Sequence, residues 1–181
     1  SQHSLFGYNS DSMTRTSGSI TMQNGGDVQA STRSATGVVY ASCHCSDFAF
    51  QDAYHYLSLG TSWTRADEIQ WVGGWDEATG RQIGWTPYRL GSLRSTGAWA
   101  LEMGDDGALW AGGDFNYSYT SLTSGQWSGG FVRMPARNAT APAVPANLRA
   151  SGGDSQQVTL KWSSVPGAAS YEILRDDRTV A

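Results

Sequence analysis

The sequence predicts an all-β protein built from antiparallel sheets, and three observations carry that prediction. Short runs rich in Val, Ile, Trp, Tyr and Phe alternate with turns drawn from 22 glycines in 181 residues. No stretch keeps a helical period of apolar residues over three turns. Strand-like segments also recur at intervals of 60 to 70 residues. Composition narrows the class further: 15% charged residues are too few for a coiled coil, and 12% aromatics are too many for a disordered tail.

Each expected element has a local reason. Ser19-Ile20-Thr21-Met22 runs into Asn24-Gly25-Gly26, a strong turn, followed by Val28-Gln29-Ala30 and then Val38-Val39-Tyr40-Ala41. Ile69 to Trp75 leads into Asp76-Glu77-Ala78-Thr79-Gly80, a tight turn capped by the Asp side chain. Ala98-Trp99-Ala100-Leu101-Glu102 and Ala108-Leu109-Trp110-Ala111 flank Gly104-Asp105-Asp106-Gly107, a hairpin signal. Phe131-Val132-Arg133-Met134 closes this region. Cys43 to Thr64 and Asn116 to Gly129 read as long loops, and Trp71, Trp99 and Trp110 read as core. After the Pro/Ala-rich stretch Asn138 to Pro145 come Asn147 to Ala150, Val158 to Trp162 and Tyr171 to Arg175; the second and third alternate apolar and polar residues like half-buried sandwich strands.

The repeat has two parts. Val28-Gln29-Ala30, Gly37 and Tyr40-Ala41 return as Ala98-Trp99-Ala100, Gly107 and Trp110-Ala111, while Trp71-Val72-Gly73-Gly74 is answered by Phe131-Val132-Arg133-Met134. Repeats of this length, each with about four short strands, point to β-propeller blades, which cover their apolar faces only by stacking. Residues 1–137 then form the repeat region, 138–146 a linker and 147–181 a second unit.

Two resemblances follow from these motifs. Pro145-x-x-Leu148, Val158-x-Leu160-x-Trp162 and Val165-Pro166-Gly167-Ala168-x-x-Tyr171-x-Ile173 resemble the opening of a fibronectin type III domain. That resemblance implies an immunoglobulin-like sandwich in which the Trp and Tyr come from neighbouring strands and fill the core. Such sandwiches have seven strands over about 100 residues, so the expected unit is incomplete and the chain is expected to belong to a longer polypeptide with downstream domains. Asp76-x-x-Thr79-Gly80 and Gly107-Ala108-Leu109-Trp110-Ala111-Gly112-Gly113-Asp114-Phe115 make the first 137 residues similar to the terminal blades of bacterial extracellular propeller-like repeat proteins. Together the resemblances imply a secreted or cell-surface bacterial protein of the kind attached to glycan-processing or adhesive machinery.

Charge and motifs exclude several functions. A formal net charge of −4 with scattered arginines and a single lysine, Lys161, argues against a nucleic-acid surface. No apolar run approaches the roughly 20 residues of a spanning helix. Ser1-Gln2-His3-Ser4 lacks the basic start and apolar stretch of a signal peptide, and a start at Ser and not Met leads to the expectation that an N-terminal piece is removed or left out. No phosphate-binding glycine loop, serine-nucleophile motif or zinc-helix motif occurs, and no cofactor is called for. Asn116-Tyr117-Ser118 and Asn138-Ala139-Thr140 match the glycosylation sequon, by coincidence in a bacterial chain.

Three constellations remain as candidate sites. Cys43-His44-Cys45 reads as a local disulfide, as two buried thiols, or as a metal site completed by His55 or Asp47. An extended strand holds the two sulfurs too far apart, so the disulfide requires a turn there. Asp47, Asp52, Asp67, Glu68, Glu102 and Asp114 are available for paired-carboxylate chemistry, but no motif selects a pair; Asp47, Asp52 and Asp114 also form a candidate calcium set. Tyr54, Tyr56 and Trp63 in the first long loop, with Tyr117, Tyr119 and Trp127 in the second, are the candidate sugar-stacking platform. The expectation is a non-catalytic extracellular binding module, carbohydrate-binding or adhesive; the alternative is an accessory portion of a secreted glycoside hydrolase.

Overall fold

The computed structural model describes residues 3–21, 26–56, 58–92, 94, 96–119, 123–136, 143, 145–152, 157–168, 171, 173–175 and 178–179. Every regular element among them is a strand, and every ladder is antiparallel. Strands β1 (Ser4–Tyr8), β2 (Arg15–Thr21), β3 (Val28–Arg33), β4 (Val38–Gln51) and β5 (Arg65–Asp76) share one sheet. A second sheet joins β6 (Arg89–Gly91), β9 (Tyr117–Tyr119) and β10 (Gly125–Trp127), and a third joins β7 (Gly97–Met103), β8 (Leu109–Asp114) and β11 (Phe131–Met134). Two separate hairpins follow, β12 (Arg149–Gly152) with β13 (Val158–Lys161) and β14 (Leu174–Arg175) with β15 (Arg178–Thr179).

The sequence repeat is a structural repeat. β3–β4 and β7–β8 are hairpins closed by the same hydrogen bond: Ser34 N–H bonds Val38 O and Gly104 N–H bonds Ala108 O, both at 2.8 Å. Gly37 and Gly107 close the two turns with φ of 78° and 75°, a region that costs other L-residues about 1–2 kcal/mol. Both hairpins also slip register at the same place, between Val28 and Ala30 and between Ala98 and Ala100. The third strand adds on the far side in each case, β5 to β4 and β11 to β8. Gly73 lies opposite Ala41 and Val132 opposite Ala111, one residue out of phase with the alignment read from similarity.

β4 explains why the first long loop is shorter than expected. It runs to Gln51, so Cys43 to Gln51 is strand and only 52–64 connects it to β5. The N-terminal half of β4 pairs with β3, and its C-terminal half pairs with β2. The change of partner falls at a bulge: between the pairs Ser42–Val72 and Ser46–Gln70, the three residues Cys43, His44 and Cys45 face Trp71 alone. Trp71 takes φ of 63°, and Gly97 (φ 64°) lies beneath it, where any side chain would run into the indole and the Cys43 carbonyl. The cost of that backbone is offset by burial of the indole and by its Nε1–H bond to Leu90 O at 3.0 Å.

The main core lies between the two repeats, where Tyr40, Val72 and Trp71 meet Leu101, Leu109, Phe115 and Val132. Ala41, Cys43, Cys45, Ile69 and Trp75 pack in a second cluster, and Ile20, Phe50, Ala53 and Ala66 form a third around the β2 end of the sheet. In the C-terminal hairpins, the Trp162 and Tyr171 rings meet edge to face at 5.3 Å and the Tyr171 hydroxyl accepts from Val165 N–H at 2.6 Å. Leu148 and Val158 are exposed there. The expected turn at Asn24-Gly25 and most of the Asn138 to Pro145 stretch, with its sequon, lie outside the described residues.

Candidate functional site

The second long loop is a built surface and not an irregular loop. Asn116 N–H bonds Gly91 O at 3.0 Å, and β9 then pairs with β6 on one side and β10 on the other. Ser128 returns the chain to β11, its N–H on Asn116 O at 2.8 Å and its hydroxyl on Phe115 O at 3.3 Å. Gly91, Tyr117 and Trp127 form one row across the three strands, and Arg89, Tyr119 and Gly125 form the next. Opposed residues of paired strands share a face, so Tyr117, Tyr119 and Trp127 stand together. Tyr119 is covered, with the Arg89 guanidinium 5.2 Å above its ring centroid and the ring lying across Gly125. Trp127 is 72% exposed and Tyr117 40%.

Trp127 is a ridge between two clefts. The first, about 620 Å³, is lined by Trp99, Trp127, Arg94, Thr96, Asp114 and Asn116. Trp99 reaches it because of the β7 bulge: the register slip puts Trp99 and Ala100 both outward between buried Ala98 and Leu101. The His44 ring, from the cysteine bulge, meets the Trp99 ring edge to face with centroids 4.7 Å apart. Asp114 forms the polar floor. Its carboxylate accepts from Ser92 Oγ (3.1 Å), Thr96 Oγ1 (2.8 Å), Arg94 N–H (3.1 Å) and the Arg94 guanidinium (3.1 and 3.2 Å). Burial alone would raise its pKa, but the Arg94, Thr96 and Ser92 hydrogen bonds outweigh it and bring the pKa to about 2.

The second cleft, about 740 Å³, lies on the other flank of Trp127, between Tyr88, Arg89 and Tyr119 on one side and Phe131 and Arg133 on the other. Phe131 and Tyr88 are exposed there. Arg133 lies over the Trp110 ring and pairs with Asp106.

The six candidate platform residues do not form one platform. Tyr54 packs beneath the Arg15 guanidinium at 4.3 Å and against Gly18; Tyr56 stacks on buried His3 at 3.5 Å; Trp63 packs edge-on against Phe50 as part of the third cluster. Tyr54 and Trp63 close the β2 end of the first sheet and Tyr56 lies on His3 at its exposed edge, whereas Trp127 presents an open face. Trp71 is core as expected, but Trp99 is not, and Trp110 is only half-buried beside Phe131. Cys43 and Cys45 form a disulfide with Cα atoms 5.1 Å apart, and a bulge, not a turn, brings them together. Asp52 accepts from the Thr64 hydroxyl and Asp67 pairs with Arg65. Burial raises the Asp47 pKa. Among the described residues no three His, Cys, Asp or Glu side chains gather around one point. No helix there is long and apolar enough to cross a membrane.

Arg89, Arg94, Trp99, Tyr88 and Phe131 are among the cleft residues that the sequence does not single out. One signal for Trp99 was present: the equivalent repeat position is Gln29, polar and exposed, where a core position would be apolar in both repeats. Comparison with known proteins returns no matching family model, no matching curated sequence and no matching solved structure.

Proposed function

We propose that this protein is a non-catalytic, extracellular carbohydrate-binding module in which propeller-like repeats carry the ligand face and a fibronectin type III-like unit follows. The observation that carries the reading is the first cleft. Two exposed indoles, Trp99 and Trp127, flank a fixed polar floor of Asp114, Arg94 and Asn116. Sugar rings offer C–H faces to aromatic planes and hydroxyls to fixed donors and acceptors, and this cleft holds both kinds of group. Preorganisation favours binding too, because the floor is tied down by five hydrogen bonds to one carboxylate before any ligand arrives.

The same carboxylate supports a binding role over a hydrolytic one. Glycoside hydrolysis uses two carboxyl groups, one of them protonated at working pH. Asp114 is the one carboxylate among the described lining residues of either cleft, and with a pKa of about 2 it carries no proton at neutral pH. The two matching repeat hairpins support the propeller-like reading, and the Trp162–Tyr171 contact supports the fibronectin-like one. The Cys43–Cys45 disulfide favours an oxidising compartment.

Titration calorimetry against a panel of soluble neutral polysaccharides tests the reading. Trp99→Ala and Trp127→Ala are each expected to weaken binding about tenfold or more, as centrally placed Trp anchors do, with the far-UV circular dichroism unchanged. Full affinity in both variants contradicts it.

A further inference from the structure

We propose that the second cleft is an acid-selective subsite, so that the ligand is a uronate-containing polysaccharide running over the Trp127 ridge. The inference rests on the carbohydrate-binding reading and adds the charge class of the ligand. The two clefts differ in electrostatics although they share Trp127. In the first, the Arg94 guanidinium is consumed by Asp114 and the pair is neutral. In the second, the lining residues include Arg89 and Arg133 and no Asp or Glu. A protein of formal net charge −4 therefore keeps one aromatic cleft whose wall carries a cation, Arg89, with no carboxylate in the lining.

Arg89 is the anchor. Arg133 is already paired with Asp106, whereas the ion pairs among the described residues leave Arg89 without a carboxylate. Its guanidinium stacks at 5.2 Å on Tyr119, and the paired β6–β9 ladder holds both residues in register. With its carbon over the Tyr119 ring and no carboxylate paired with it among the described residues, the guanidinium can offer its N–H fork, the geometry that takes a carboxylate through two parallel hydrogen bonds. Exposed Tyr88, Trp127 and Phe131 around it supply apolar planes for the ring that bears the carboxylate. A sugar chain lying on Trp127 has its next unit on either flank, so one polymer reaches the neutral floor and the cationic wall together.

The test uses the whole chain and a panel of polyuronates (polygalacturonate, alginate and hyaluronan), each beside its carboxyl-reduced neutral form. At least one acidic polymer is expected to bind about tenfold more tightly than its reduced partner, the scale of one charge-assisted hydrogen-bonded pair. Arg89→Gln is expected to erase that difference, bringing acidic and reduced polymers to equal affinity, with the far-UV circular dichroism unchanged since Arg89 is exposed. Arg89→Lys, which keeps the charge and loses the fork, is expected to fall between. Equal affinity for acidic and reduced polymers, or an acid preference that survives Arg89→Gln, overturns the acid-selective subsite alone. If neither acidic, reduced nor neutral polysaccharides bind, the carbohydrate reading itself falls.

Discussion

Asp114 concentrates on one side chain what the first cleft needs. It closes β8 opposite Gly97, and its two oxygens gather Ser92, Arg94 and Thr96 from the connection between β6 and β7. Because these donors favour the ionised form, the folded-state pKa lies at about 2, below the ordinary 3.8. A depressed carboxyl pKa adds stability that is fully present above the unfolded value and is lost as pH falls through the folded one. Asp114→Asn is therefore expected to be destabilised at neutral pH, with its deficit shrinking between about pH 4 and pH 2 as the wild type loses the same contribution. Urea midpoints at several pH values check this, and a deficit that stays constant to the acid end contradicts it. Asp114 was visible in the sequence as a loop acid available for calcium or catalysis. What was not visible is Arg94, because a distant arginine's partner is set by how β7 and β8 pair and no local pattern records that.

The cysteine bulge works at the scale of the strand. In an uninterrupted strand, Cα atoms two apart are separated by about 6.6 Å, whereas Cys43 and Cys45 are 5.1 Å apart. The contraction places three residues against one and lets β4 leave β3 and continue along β2. It also presents His44 to Trp99. Closing so short a loop restricts the unfolded chain only modestly, so reduction is expected to cost about 1–2 kcal/mol. Denaturant midpoints with and without reductant, with thiols counted under denaturing conditions, measure it; an unchanged midpoint contradicts it. Strands with clean alternation were legible before the structure, and β5, β7 and β8 lie where they were expected. From sequence β4 ends at Ala41, because the bulge breaks alternation and Ser42-Cys43-His44-Cys45-Ser46-Asp47 reads as polar. β1 carries only Leu5, Phe6 and Tyr8 as bulky residues, and its pairing with β2 is a long-range choice that a five-residue window does not encode.

Across the whole molecule, two hairpins of the same design are put to different uses. The position that is Gln29 in the first is Trp99 in the second, and the β4–β5 connection of the first corresponds to the β9–β10 hairpin inserted between β8 and β11 of the second. The repeat was legible because strand residues and turn glycine recur together along the chain. The split of the loop aromatics was not, because Tyr54 and Trp63 look the same in sequence as Tyr117 and Trp127, and only packing separates covered rings from open ones. The eight tryptophans make that separation measurable. Trp71 and Trp75 donate their indole N–H groups internally, to Leu90 O and Ser19 Oγ, whereas Trp99 and Trp127 face the cleft. A nuclear magnetic resonance titration of the indole N–H signals with a bound oligosaccharide therefore tests the ligand face most directly. Shifts concentrated on Trp99 and Trp127, with Trp71 and Trp75 unmoved, are the expected result; shifts centred on Trp63, with Trp99 and Trp127 silent, contradict a binding face at this ridge.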